Sequence, residues 1–171
     1  MEYLLYKLNK NKITSHGILP KEFQLYLWRP SVSIIPPKGL RKFSIIIWIF
    51  FHYLLIFKNK KLGIVYIKHR DCIISRLLIT PGYFRFPFMD FNDLQIGDVW
   101  TCNSYRGKGL ASYSLSYALR LLEAETKSFF YIVEGANNIS IKLAVSRGFE
   151  LVATGTKKNF LISFISYYDF M

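Results

Sequence analysis

Arg106-Gly107-Lys108-Gly109 sets two cations and two glycines directly before a run with helical spacing. Glycine lets a backbone come close to an anion, and a helix start offers unpaired N–H groups and a positive dipole end. Arg106 through Ser112 therefore has the makings of a phosphate cradle, although an ordinary basic turn would use the same residues. The segment is not a Walker loop, because Gly-x-x-x-x-Gly-Lys-Ser/Thr is absent. It is not the dinucleotide fingerprint either, since Ser112 stands where the third glycine belongs.

The elements that must position this loop follow from pattern. Leu94 to Thr101 reads as a central strand, and Gly109 to Glu123 as a helix with Ala111, Leu115, Ala118 and Leu122 in step. Phe129 to Val133 is a short apolar strand. Ile139 to Arg147 reads as a helix opened by Asn137 or Asn138 and stopped by Gly148. Upstream, Glu22 to Trp28, Leu62 to Lys68 and Cys72 to Thr80 are strand-like, the last two flanking a turn at His69-Arg70-Asp71. Leu151 to Thr156 and Phe160 to Tyr168 close the chain as two strands, with a turn expected at Lys157-Lys158-Asn159. This order predicts an α/β fold: one mixed sheet with helices on both faces, in a single domain over 1–171.

Composition narrows the partners. The chain of 171 residues is 51% hydrophobic and 18% aromatic, which excludes disorder, and its net charge of +12 calls for an anionic partner. Cys72 and Cys102 form no CxxC, and His16, His52 and His69 stand in no metal-ligand motif, so no metal site and a reducing setting are expected. The scattered charge argues against nucleic acid. Met1 to Lys10 mixes polar and apolar residues, which argues against a signal peptide. Phe43 to Phe57 is apolar between Arg41-Lys42 and Lys58, Lys60 and Lys61. As a helix it reaches roughly 22 Å, short of a roughly 30 Å hydrocarbon core. A buried helix is the first reading, and a helix lying on the inner membrane surface is the second.

Two segments resemble one family in order and spacing. Arg106-Gly107-Lys108-Gly109-Leu110-Ala111 is similar to the Q/R-x-x-G-x-G/A signature of the GCN5-related N-acetyltransferases (GNAT). Asn137 to Phe149 is similar to that family's N-x-x-S/A element ending in Gly-Phe. The likeness is good over Leu94 to Ala153 and poor before it. Phe84 to Met89 and Asp93 to Thr101 further resemble acetyltransferase-like proteins of bacterial surface-polysaccharide biosynthesis.

The resemblance implies a GNAT-like fold with acetyl-CoA as donor. Residues 94–171 would form the donor core, and residues 1–93 the acceptor side. Arg106, Gly107, Lys108, Gly109, Leu110, Ala111 and Ser112 would hold the pyrophosphate. Val99, Trp100 and Thr101 would pair with pantetheine, a backbone N–H there stabilising the oxyanion. Asn137 would touch the pantetheine arm, and it is equally a helix N-cap.

The acceptor would be an amine: an amino sugar or sugar nucleotide, with a protein or polyamine as the alternative. Glu134 is the first candidate base and Asp98 the second. The tyrosine that commonly protonates the leaving thiolate falls at Ala144, so Tyr131 is the candidate substitute; the loss also leaves open a non-catalytic CoA-binding protein. Gln95 falls near a position where some members carry a basic glutamate. Arg76 and Arg85 are candidates for acceptor phosphates, beside the aromatic run Tyr83 to Phe88. The expected setting is cytoplasmic, or peripheral to the inner membrane.

Overall fold

A computed structural model describes residues 1–9, 18–40, 43–159 and 166–171. Its strands are β1 (Glu2–Asn9), β2 (Phe23–Trp28), β3 (Gly63–His69), β4 (Cys72–Pro81), β5 (Leu94–Thr101), β6 (Ser128–Glu134), β7 (Glu150–Asn159) and β8 (Ser166–Phe170). The helices are α1 (Phe43–Tyr53), α2 (Leu110–Leu122) and α3 (Asn138–Ser146). All eight strands join one sheet in the order β2-β3-β4-β5-β6-β1-β7-β8. The fold is thus the expected α/β architecture.

Every neighbouring pair is antiparallel except β5 and β6. Parallel neighbours need a crossover, and α2 supplies it. Its apolar side, Leu115, Ala118, Leu119 and Leu122, packs with Ala144 of α3 on Val65, Leu77, Ile96, Phe129 and Tyr131. Alternate strand residues face the other way. There Ile64, Tyr66, Leu78 and Phe130 pack with Ile45 of α1 and with Leu40, Phe57, Tyr83 and Phe86. The sheet therefore has α2 and α3 on one face and α1 on the other.

Three expectations need correction. The N-terminal segment gave no strand signal, yet β1 lies inside the sheet between β6 and β7. A strand covered on both faces reads as a near-continuous apolar run, and Leu4-Leu5-Tyr6 has no clean alternation. Lys157-Lys158-Asn159 is no turn: these residues pair with Tyr168, Tyr167 and Ser166 as the end of β7. Residues 160–165 of the expected last strand lie outside the described residues. Finally, the apolar run 43–57 is helical and buried only in part: Ile45, His52 and Phe57 are buried, and its other side is not. The helix stops at Tyr53, Leu55 takes a positive φ of 57°, and Ile46, Phe50 and Leu54 are exposed.

At Gly155, β7 is flanked by Tyr3 of β1 and Phe170 of β8. A Cβ there would collide with the backbone carbonyl of Asp169 and the ring of Phe170. Gly155→Ala is expected to destabilise the fold by about 1–3 kcal/mol, read as a lower urea midpoint.

Candidate active site

The β5–β6 pairing is short. It runs from Leu94↔Phe129 to Ile96↔Tyr131 and stops, although β5 continues to Thr101 and β6 to Glu134. A bulge accompanies the parting. The β4–β5 register passes from Leu78↔Gly97 to Arg76↔Trp100, which leaves Asp98 and Val99 opposite Leu77 alone. Asp98 has a φ of 43°. Bulges re-aim the backbone and interrupt the ladder, and this one lies on β5 where its pairing with β6 has stopped.

The gap opens into a cleft of about 530 Å³. Val99, Trp100 and Thr101 of β5 form one wall; Arg106, Gly107, Gly109, Leu110, Ala111 and Ser112 form the next; Asn137 lies across. Of the expected donor residues only Lys108 is missing from this lining. It faces a neighbouring hollow of about 210 Å³, with its ammonium 5.3 Å from the centre of the Tyr105 ring. Tyr105, just before the loop, also lines the cleft, and so do Ile139, Ser140 and Leu143, to which sequence reasoning gave no site role. For the last three the available signal was helical spacing on α3 after Asn137.

Local chemistry shapes the loop. Gly107 and Gly109 adopt φ values of 77° and 73°, which L side chains rarely take, and a Cβ at either would meet nothing within 4 Å. Glycine is needed here for conformation, and the backbone faces open space. The first intrahelical bond of α2 runs from the Tyr113 N–H to the Gly109 carbonyl at 2.9 Å. The N–H groups of Leu110, Ala111 and Ser112 precede it, at the positive end of the dipole. Asn137 caps α3: its Oδ1 accepts the Ser140 N–H at 3.1 Å. The Arg106 guanidinium donates to the Thr101 carbonyl at 3.3 Å and ties the loop to β5.

The candidate acid–base groups sit around the gap and not in the cleft lining. Asp98 and Glu134 belong to its two lips, one on β5 and one on β6. Asp98 accepts from Arg76 Nε at 3.1 Å. Glu134 is exposed and accepts from the Tyr3 hydroxyl at 3.4 Å, so β1 contributes to this edge. Tyr131 is buried among core residues with its ring edge-on to Phe149. Burial pushes its hydroxyl above the ordinary tyrosine range, partly offset by a hydrogen bond with Ser140 of the cleft wall.

Arg76 is buried against Trp100, 5.1 Å from its ring centre, and Arg85 donates to the Ser166 carbonyl at 3.3 Å. Both expected acceptor arginines are thus engaged within the fold. Gln95 is buried at the base of the gap and donates to the Ile96 carbonyl at 2.8 Å. No group of three or more His, Cys, Asp or Glu side chains that could hold a metal occurs among the described residues.

The family model described as the acetyltransferase (GNAT) family matches residues 27–149. The chain belongs to this GNAT family. Its members are acyltransferases that in general move the acyl group of an acyl-CoA to an amine and release CoA. No curated protein matches the chain in sequence. Among solved structures, a GCN5-related N-acetyltransferase from Kribbella flavida is similar at 14% identity and a TM-score of 0.53, over 90% of this chain and 56% of that one. A GCN5-related N-acetyltransferase-like protein from Streptococcus suis is similar at 18% identity and a TM-score of 0.54, over 99% and 62%. A glucosamine N-acetyltransferase region of a fungal multi-domain β-N-acetylglucosaminidase is similar at 11% identity and a TM-score of 0.57, over 90% and 20%. These likenesses concern the fold. The chain spans 48% and 56% of the length of the first two similar structures.

Two outcomes follow from the geometry. Asn137→Ala removes the α3 cap and is expected to cost about 0.5–2 kcal/mol in denaturant unfolding. The hydroxyls of Tyr66, Tyr83, Tyr131 and Tyr168 are all raised, in each case chiefly by burial. A raised folded pKa contributes stability below the unfolded value and loses it as pH climbs through the folded one. Unfolding midpoints should therefore fall above about pH 10, and Tyr131→Phe should flatten that decline.

Proposed function

We propose that the chain transfers the acetyl group of acetyl-CoA to the amine of a small acceptor, an amino sugar or sugar nucleotide of surface-polysaccharide biosynthesis. The observation that carries the donor half is the free β5 edge opening onto a glycine loop in one cleft. An unpaired strand edge can take an extended amide-bearing arm as a further strand. Pantetheine is such an arm, and the N–H groups of Gly107 to Ser112 would meet the pyrophosphate at its end.

Bound there, acetyl-CoA supplies an activated acyl group. The protein's own residues do the rest. A backbone N–H near Val99, turned by the bulge, faces the charge that develops on the carbonyl oxygen. Glu134 is the base in this reading. It is an exposed carboxylate without a cationic partner among the described salt bridges, whereas Asp98 is held by Arg76 and positions the bulge. Tyr131, whose hydroxyl is raised by burial and bonds to Ser140 of the cleft wall, would return a proton to the thiolate in this reading.

The amino-sugar acceptor rests on the resemblance of Phe84 to Met89 and Asp93 to Thr101. The structurally similar glucosamine N-acetyltransferase region is compatible with it at the level of fold. Residues 1–93 would form most of the acceptor side. The free thiols Cys72 and Cys102 suit a cytoplasmic setting.

A CoA-release assay over amino-sugar nucleotides, free amino sugars, polyamines and peptides tests the reading. Turnover on the first two classes is expected, and turnover confined to polyamines or peptides would replace the acceptor. Gly109→Val forces a β-branched residue into a positive φ and should abolish acetyl-CoA binding in calorimetry; unchanged affinity would remove the loop from the account. Glu134→Gln should lower kcat by about a hundredfold or more with acetyl-CoA affinity retained.

A further inference from the structure

α1 is apolar on both its sides, which a water-facing helix is not. Its inward side carries Ile45, with Trp48, Ile49 and Phe51 packed beside it, and His52, which is buried with Nδ1 unpartnered. Its outward side carries Ile46, Ile47, Phe50 and Tyr53, and the chain beyond it adds Leu54 and Leu55. Phe50 is 61% exposed, Leu54 66% and Leu55 67%. A surface helix of a soluble domain keeps polar and charged residues on its outward side. The Tyr53 hydroxyl donates to the Pro30 carbonyl at 2.8 Å, so the loop after Pro30, with Val32, Ile34 and Ile35 exposed, joins the same end of α1. Solitary exposed apolar residues are ordinary, but a contiguous group of this kind marks a contact surface.

Charge selects the occupant. No Asp or Glu occurs between Glu22 and Asp71, while Arg29, Lys38, Arg41, Lys42, Lys58, Lys60 and Lys61 fall in that stretch. Lys58 donates to the Met89 carbonyl and Lys61 pairs with Glu125, whereas Lys38 and Lys60 are exposed. Burial, and after it the charge of Lys60, lowers the His52 pKa. A second copy of the chain would set this cationic stretch against itself with no carboxylate to answer it. A bilayer with anionic headgroups accepts the apolar side chains and the cations at once.

We infer that α1, with the Val32–Ile35 loop, docks this protein on an anionic lipid surface. The helix lies in the interface and does not cross it; no helix among the described residues is long and apolar enough to span a membrane. Because α1 covers the sheet face opposite α2 and α3, the cleft side would stay toward water.

The test is co-sedimentation with vesicles of phosphatidylcholine alone and of phosphatidylcholine mixed with phosphatidylglycerol. The wild-type chain should pellet with the mixed vesicles and weakly or not at all with the neutral ones. Phe50→Glu with Leu54→Glu, both at exposed positions, should reduce vesicle binding by about tenfold or more with an unchanged circular dichroism spectrum. Lys38→Glu with Lys60→Glu should remove the preference for phosphatidylglycerol. Hydrogen exchange on the wild-type chain should slow across 43–55 when mixed vesicles are added, a readout that needs no variant. No binding to mixed vesicles, or binding that Phe50→Glu with Leu54→Glu leaves intact, would overturn the inference. So would a wild-type dimer in sedimentation velocity that the same pair of substitutions turns into monomer, since a second copy would then cover the face.

Discussion

Two parallel strands that begin together and then part are the constraint on which the rest of this molecule depends. β5 and β6 share pairs only as far as Ile96↔Tyr131, and both continue beyond it. Backbone groups on a sheet are ordinarily satisfied by the next strand, so a gap inside a sheet creates an edge where none is expected. The crossover helix α2 must start at the open end of that gap, because it leaves β5 and returns to β6. Its N–H groups and glycine loop thereby arrive beside the free edge. An extended, anion-ended ligand is the chemistry this arrangement suits.

The sheet also divides labour between its faces. On one, α2 and α3 build the cleft and an apolar core around Phe129, Leu115 and Ile96. On the other, α1 and the aromatic run from Tyr83 to Phe88 form a second core, with Tyr83 and Phe86 buried and Phe84 exposed. The ends of the chain reinforce this division. β1 enters the middle of the sheet and brings Tyr3 against Glu134, while Tyr168 of β8 meets Tyr3 edge-on at 5.1 Å between ring centres. The proposed base is thus framed by residues from both termini.

The elements that line the candidate cleft were legible because their determinants are local. Leu94 to Thr101 has strand spacing, Gly107 and Gly109 punctuate it, and Asn137 and Gly148 bracket α3, so each signal sits next to the structure it specifies. What sequence missed depends on distant partners. β1 has no clean alternation because it is covered on both faces, so its pattern names no period. Lys157 to Asn159 have turn-like composition, but pairing with β8 overrides it. Arg76 and Arg85 invited an assignment to ligand, and only tertiary structure gives them Asp98, Trp100 and the Ser166 carbonyl as partners. The apolar run 43–57 announced a helix, but not that half of its surface would face outward.

The most direct test of the central claim is amide hydrogen exchange with and without acetyl-CoA, resolved to the peptides that carry β5 and the glycine loop. If an extended thioester arm completes the β5 edge, Val99 to Thr101 and Gly107 to Ser112 should exchange more slowly in its presence, and the peptides of β2 and β3 should not change. Protection confined to other segments, or none at saturating acetyl-CoA, would contradict the account.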